Sequence, residues 1–130
     1  MFAIEYFLAV AEGVLGVDAH RLVPATNIGL AESALAAPYA SFGGHDLYSH
    51  PVKKASILAS RIIRNHALPD GNKRVAFILM DLYLEENGYR FTGAPGETDR
   101  MLRAVAGREQ TEDYFHAWLI SRTERIEQPG

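Results

Sequence analysis

Apolar positions recur at helical spacing along most of the chain. Ala3, Tyr6, Phe7, Val10 and Val14 predict an amphipathic helix from residue 3 to about 15, its end blurred by Gly13 and Gly16. Gly29 to Ala37 reads as a short, Ala-rich helix stopped by Pro38. A third helix opens at Ser49 or His50, with Pro51 behind, and reaches about Asn65. It places Ala55, Leu58, Ala59 and Ile62 on one face, and Lys54, Arg61 and Arg64 on another. From about Gly71 to Asn87 the pattern changes: Asp81 is the only charge between Val75 and Leu84. A helix apolar on every face is buried, and this one is too short to span a bilayer. Asn87-Gly88 supplies a left-handed stop.

Between the second and third helices, Gly43-Gly44 separates Ser41-Phe42 from His45 to Tyr48, which signals either a two-residue hairpin or a plain loop. After the apolar helix come a short extended piece at Tyr89-Arg-Phe91 and a loop at Gly93 to Gly96. Two further helices follow, Glu97 to Ala106 and Glu112 to about Arg125, the last capped by Thr111. The expected fold class is therefore all-α, a compact bundle of about six helices with a small flap before the third.

Length supports one domain, set at residues 1–126, with 127–130 as a flexible tail. The net charge of −3 argues against nucleic-acid binding by bulk electrostatics. Six of the thirteen Lys and Arg nevertheless fall between residues 53 and 74, opposed there only by Asp70; a positive field facing a phosphate is one reading and a solvated helix face the other. With no cysteine, thiol catalysis, disulfides and cysteine-ligated metals are excluded. The amino-terminal stretch has no basic region and is interrupted by Glu5 and Glu12, so neither a signal peptide nor a membrane span is expected, and the location read is cytoplasmic.

The chemistry concentrates in His66-Ala-Leu-Pro-Asp-Gly-Asn-Lys-Arg74. A turn leads there into the apolar helix, so the amides of Gly71, Asn72 and Lys73 are expected as unpaired donors at the positive end of the helix dipole, a place for an anion. Lys73 and Arg74 sit where a first turn normally favours acids, which points to a strongly anionic visitor. His66 is the candidate general base, since an imidazole is the side chain ordinarily suited to proton transfer near neutral pH, although a lone histidine at a helix junction is more often structural. Asp70 is equally suited to capping the helix, and Asn72 to capping or to orienting a phosphate.

His66, Asp70, Gly71, Asn72, Lys73 and Arg74 together resemble the signature loop of the Fic/Doc family, His-x-Phe-x-Asp/Glu-Gly/Ala-Asn-Gly/Lys-Arg. Leu68 stands for the usual Phe and Val75 for the usual Thr or small residue. Ile28 to Pro38, Phe42-Gly-Gly44, Leu47-Tyr48 and Asn87 to Phe91 follow in the order seen in death-on-curing (Doc) toxins. The resemblance implies ATP and Mg2+ as cofactors. Asp70 becomes the metal ligand; His66, Asp70, Lys73 and Arg74 are the catalytic set, and Gly71, Asn72, Lys73, Arg74 and Arg64 bind the nucleotide. Phe42, Gly43, Gly44, His45, Asp46 and Leu47 become a flap gripping an extended piece of the target.

Members that transfer AMP typically carry Gly at Lys73 and a second Arg at Phe77, so the resemblance implies the Doc branch. Its expected activity is kinase transfer of the γ-phosphate of ATP to a Ser/Thr hydroxyl of a translation protein, elongation factor Tu, arresting translation. A Phd-like antitoxin is the implied restraint, because neither Glu12-Gly13 nor Glu86-Asn87 has a hydroxyl four residues earlier, as an internal inhibitory helix would. Three alternatives stay open. One is an adenylyltransferase, another a non-catalytic module holding nucleotide and antitoxin. The third is a metal-dependent phosphohydrolase built on His45-Asp46.

Overall fold

A computed structural model of the chain describes residues 1–126; the expected tail at 127–130 lies outside them. Two fifteen-residue helices occupy the centre, α4 (Pro51–Asn65) and α5 (Asn72–Glu86). Numbered in chain order, α1 (Ile4–Leu15), α2 (Ala19–Ala25) and α3 (Ile28–Ala36) precede them, and α6 (Pro95–Ala106) and α7 (Glu112–Ser121) follow. The described residues thus form an all-α bundle of seven helices, one more than the pattern marks. The extra helix is α2, which buries only Leu22 and contains Pro24, so it leaves no periodic signal.

α4 supplies the middle of the core because it is apolar or small on nearly every side. Val52, Ala55, Ile57, Leu58, Ala59, Ile62 and Ile63 are buried, and the hydroxyl of Ser56 donates to the Lys53 carbonyl while that of Ser60 donates to the Glu112 carboxylate. Small side chains on α3, Ala31 and Ala34, let it approach α4, while Phe115 and Leu119 of α7 close the other side. α5 contributes Val75, Ala76, Leu79, Met80 and Leu84. Full burial of a large apolar side chain is worth on the order of 1.5–3 kcal/mol, so this pair anchors whatever is attached to its ends.

Two expectations need correction here. α5 is not buried on every face: Phe77 is half-buried and Ile78 exposed, and both line a cleft. The last helix stops at Ser121 rather than near Arg125. Thr123–Arg125 forms a strand, β4, antiparallel to β3 (Tyr89–Phe91), with Arg90 opposite Glu124 and Phe91 opposite Thr123. This ribbon carries Phe91 to the cleft, where its ring meets Phe77 edge-on at 5.6 Å and Trp118 at 5.8 Å.

The flap is a hairpin. β1 (Ser41–Phe42) and β2 (His45–Asp46) pair through Gly43 and Gly44, both at positive φ as a tight turn of this kind requires. Among the described residues no helix is long and apolar enough to cross a membrane.

Candidate active site

The α4–α5 connection is shaped by three conformational demands. His66 ends α4 in the left-handed region, φ 49, which histidine tolerates better than most residues. Ala67 and Leu68 are buried beneath it, so Leu68 provides the apolar anchor. Gly71 then caps α5 at φ 76, and a Cβ there would lie 3.0 Å from Leu15 and 3.2 Å from Val14, so the end of α1 closes on this residue.

Asp70 does not cap α5 in the ordinary way. Its Oδ1 accepts from the Gly71 N–H at 2.8 Å, so that amide is taken rather than unpaired, and the first-turn donors left are those of Asn72, Lys73 and Arg74. The carboxylate is exposed, with its second oxygen unused in the loop. Asn72 departs from its expected place as well. The side chain is buried, and its amide bonds both the N–H and the carbonyl of Leu68 and faces His66 Nδ1 at 3.2 Å. It holds the loop and the imidazole, and no side-chain donor remains for a phosphate.

A cleft of about 1320 Å³ opens over these groups, roomy enough for a nucleotide-sized ligand. Arg64, His66, Asp70, Gly71, Asn72, Lys73 and Arg74 all border it. Its far wall is built from residues to which the sequence assigns no site role, although Phe77 and Phe91 are noted there: Phe77, Ile78, Phe91, Gly93 and Leu102 make it apolar, and the Asp99–Arg103 pair at 2.8 Å and Arg108 make it polar. Nothing local would have marked that wall. Asp99 and Arg103 are four apart on a helix, the spacing of any surface pair.

The cluster of six cations resolves mostly into structural partners. Lys53 pairs with Asp113 at 3.3 Å, and Arg61 grips Glu112 through Nε at 2.9 Å and Nη2 at 3.3 Å. Lys54 donates to the carbonyls of Pro38 and Tyr48, pinning both feet of the flap. Arg64 donates to the Gln110 carbonyl at 2.9 Å and lies 4.0 Å from Glu112, although its buried Nε has no partner. Of these six, only Lys73 and Arg74, at the start of α5, make no ion pair among the described residues, and Arg108 on the far wall of the cleft makes none either. The free positive charge of the cluster is therefore narrower than the sequence suggests, and it borders the same cleft as His66.

Burial pushes the Glu112 carboxyl up, but hydrogen bonds from Arg61 and Ser60 and the charges of Arg61 and Arg64 outweigh it, leaving the group below the usual carboxylate range. Arg61 is raised in turn, chiefly by that hydrogen bond.

The flap residues do not border the cleft. Phe42 and Leu47 are 80% and 57% exposed, an apolar pair projecting into solvent with nothing in the fold to cover it. His45 and Asp46 belong to this hairpin, and Asp46 lies 3.9 Å from Lys54. Among the described residues there is no group of three or more His, Asp or Glu side chains arranged to hold a metal, and His45 and Asp46 lie on the hairpin outside the cleft.

Comparison with known proteins agrees with the loop. The Fic/DOC family profile matches residues 7–84. The chain is similar to Toxin Doc of Mycolicibacterium smegmatis, 38% identical over 96 residues that cover 72% of this chain and 73% of that one. No solved structure matches.

Proposed function

The chain belongs to the Fic/DOC family, in its Doc toxin branch, and from that premise we propose that it acts in the cytoplasm as a kinase, moving the γ-phosphate of ATP to a Ser or Thr hydroxyl of a translation protein. Elongation factor Tu is the target proposed, with a Phd-like antitoxin as the restraint. One observation supports γ-phosphate over AMP transfer. The position of the second Arg in AMP-transferring relatives is Phe77, whose ring packs on Phe91 and turns that part of the cleft apolar.

The residues present suit the chemistry. Phosphoryl transfer asks mainly for positioning and for charge at the transferring group. Lys73 and Arg74 supply free positive charge, and the first-turn amides of α5 add oriented donors. Asp70, with one carboxylate oxygen unused and exposed, suits Mg2+, which favours one or two carboxylates plus substrate phosphates over a cage of protein ligands. Bound there, the ion would neutralise phosphate charge. His66 takes the proton of the acceptor hydroxyl as general base. Arg64 borders the cleft through a guanidinium already held by Gln110, so its part is to fix the wall and add positive field. The exposed flap edge, with Phe42 and Leu47, is where an extended segment of the acceptor protein adds as a strand.

Intact-mass and peptide mass spectrometry of cellular proteins after expression of the chain tests this. A phosphate increment on a Ser or Thr of a translation protein, absent with His66→Ala, is expected. An AMP increment would replace the proposal with adenylyl transfer, and no increment on any protein would favour a binding module.

A further inference from the structure

Asn72 is 5% exposed, and its amide can be oriented in one way only. Oδ1 accepts from the Leu68 N–H at 3.1 Å and Nδ2 donates to the Leu68 carbonyl at 3.0 Å. A backbone N–H can only donate and a carbonyl can only accept, so turning the amide over would set donor against donor and acceptor against acceptor. The second Nδ2 hydrogen is thereby left facing His66 Nδ1 at 3.2 Å. Nδ1 is then an acceptor, and a neutral imidazole carries its single proton on the other nitrogen.

We propose that Asn72 is a positioning residue that holds neutral His66 as the Nε2-protonated tautomer, with its one lone pair, on Nδ1, masked until an acceptor hydroxyl displaces the Asn72 amide. This deepens the general-base reading of His66 and rests on it. The unliganded imidazole offers the cleft a donor, Nε2–H, and no free acceptor. When the hydroxyl takes the amide's place, its O–H bond breaks and Nδ1–H forms. The oxygen's electron pair makes the new bond to phosphorus, the bond from phosphorus to ADP breaks, and the doubly protonated imidazolium later returns a proton to solvent. Base strength thus becomes available where the substrate is, through a side chain that touches neither ATP nor acceptor in the resting fold. The same amide fixes the Leu68 backbone, so ring orientation and loop seating depend on one residue.

The decisive experiment is 15N NMR of histidine-labelled full-length chain, without ATP or acceptor and above the imidazole titration, with His66 assigned by loss of its signals in His66→Gln. The wild type should show a protonated Nε2 and an unprotonated Nδ1. Asn72→Asp, whose carboxylate can only accept, should invert the pattern to Nδ1–H, with folding confirmed by thermal melting. In Asn72→Ala, kcat should fall on the order of 10–100-fold, the usual cost of losing a group that orients a reactive one, with the KM for ATP little changed. An Nδ1–H pattern in the wild type, or an unchanged pattern in folded Asn72→Asp, overturns the proposal. Unchanged kcat in Asn72→Ala does so too. Should Asn72→Asp fail to fold, the wild-type pattern decides. An Nε2–H pattern in a chain that modifies no protein sinks the kinase reading alone, because the tautomer is read without any reaction.

Discussion

Arg61 Nε and Nη2 straddle the Glu112 carboxylate at 2.9 and 3.3 Å, joining the middle of α4 to the first turn of α7. Ser60 donates to the same carboxylate. The pair therefore closes the bundle behind the cleft, with Arg64 of the cleft wall 4.0 Å from the same acid. Arg61 is 36% exposed, so water takes over part of what Glu112 provides, and Glu112→Ala should cost about 1 kcal/mol in chemical denaturation. Because the folded pKa of Glu112 is lowered, its contribution is full above the unfolded value near 4.5 and is lost as pH falls through the lower folded value. The stability gap between wild type and Glu112→Gln should accordingly narrow in acid. A gap that is constant or widens below pH 4.5 would show that the carboxylate is not what holds α7.

Lys54 is the pin of the flap. Its ammonium is shared by the Pro38 and Tyr48 carbonyls, one on each side of the hairpin. Lys54→Met keeps the stem and removes the donors, so amide exchange and proteolysis across residues 40–48 should speed up. Modification of the acceptor protein should drop while ATP affinity stays. Unchanged exchange in the hairpin would mean that the β1–β2 bonds alone set its position.

Gly71 combines φ 76 with the close approach of Leu15 and Val14. Gly71→Ala should lose about 1–2 kcal/mol from the left-handed backbone alone, with the contact to α1 adding to it. The same shift displaces the start of α5, so nucleotide binding should weaken together with stability. A variant that melts and binds ATP like the wild type would show that the loop has more freedom than its packing implies.

Removing the free charges separates binding from proton transfer. Lys73→Ala and Arg74→Ala should each reduce transfer on the order of 10²–10³-fold, the scale of losing a preorganised charge partner. Arg61→Ala, whose charge is already paired, should act through stability instead. His66→Ala should abolish transfer with ATP binding largely retained, and chelation of Mg2+ should stop the reaction. Equal losses for all four cations of α4 and both of α5 would restore the diffuse-field view and contradict the partner assignments made above.

The sequence reveals what is local. The loop, the αL stop at Gly88, the Thr111 cap, the α4 period and the span of α5 all depend on residues within a few positions of each other, and each is found close to where expected. α2 is hidden because its single buried residue, Leu22, gives no period. β4 is hidden because its pairing partner is β3, far away in the chain. The partners of the cations are hidden for the same reason. Glu112, Asp113 and the carbonyls of Pro38 and Gln110 reach Lys53, Lys54, Arg61 and Arg64 only through the fold. The second role of Asn72 was equally invisible, since a buried amide facing a ring nitrogen is a matter of three dimensions.

Single-turnover transfer from ATP labelled on either the γ- or the α-phosphate, with the purified chain and a bacterial lysate, tests the central claim most directly. The account predicts label from the γ-phosphate on a translation protein, none from the α-phosphate, and neither with His66→Ala. Label from the α-phosphate, or the same γ-label with His66→Ala, would contradict it.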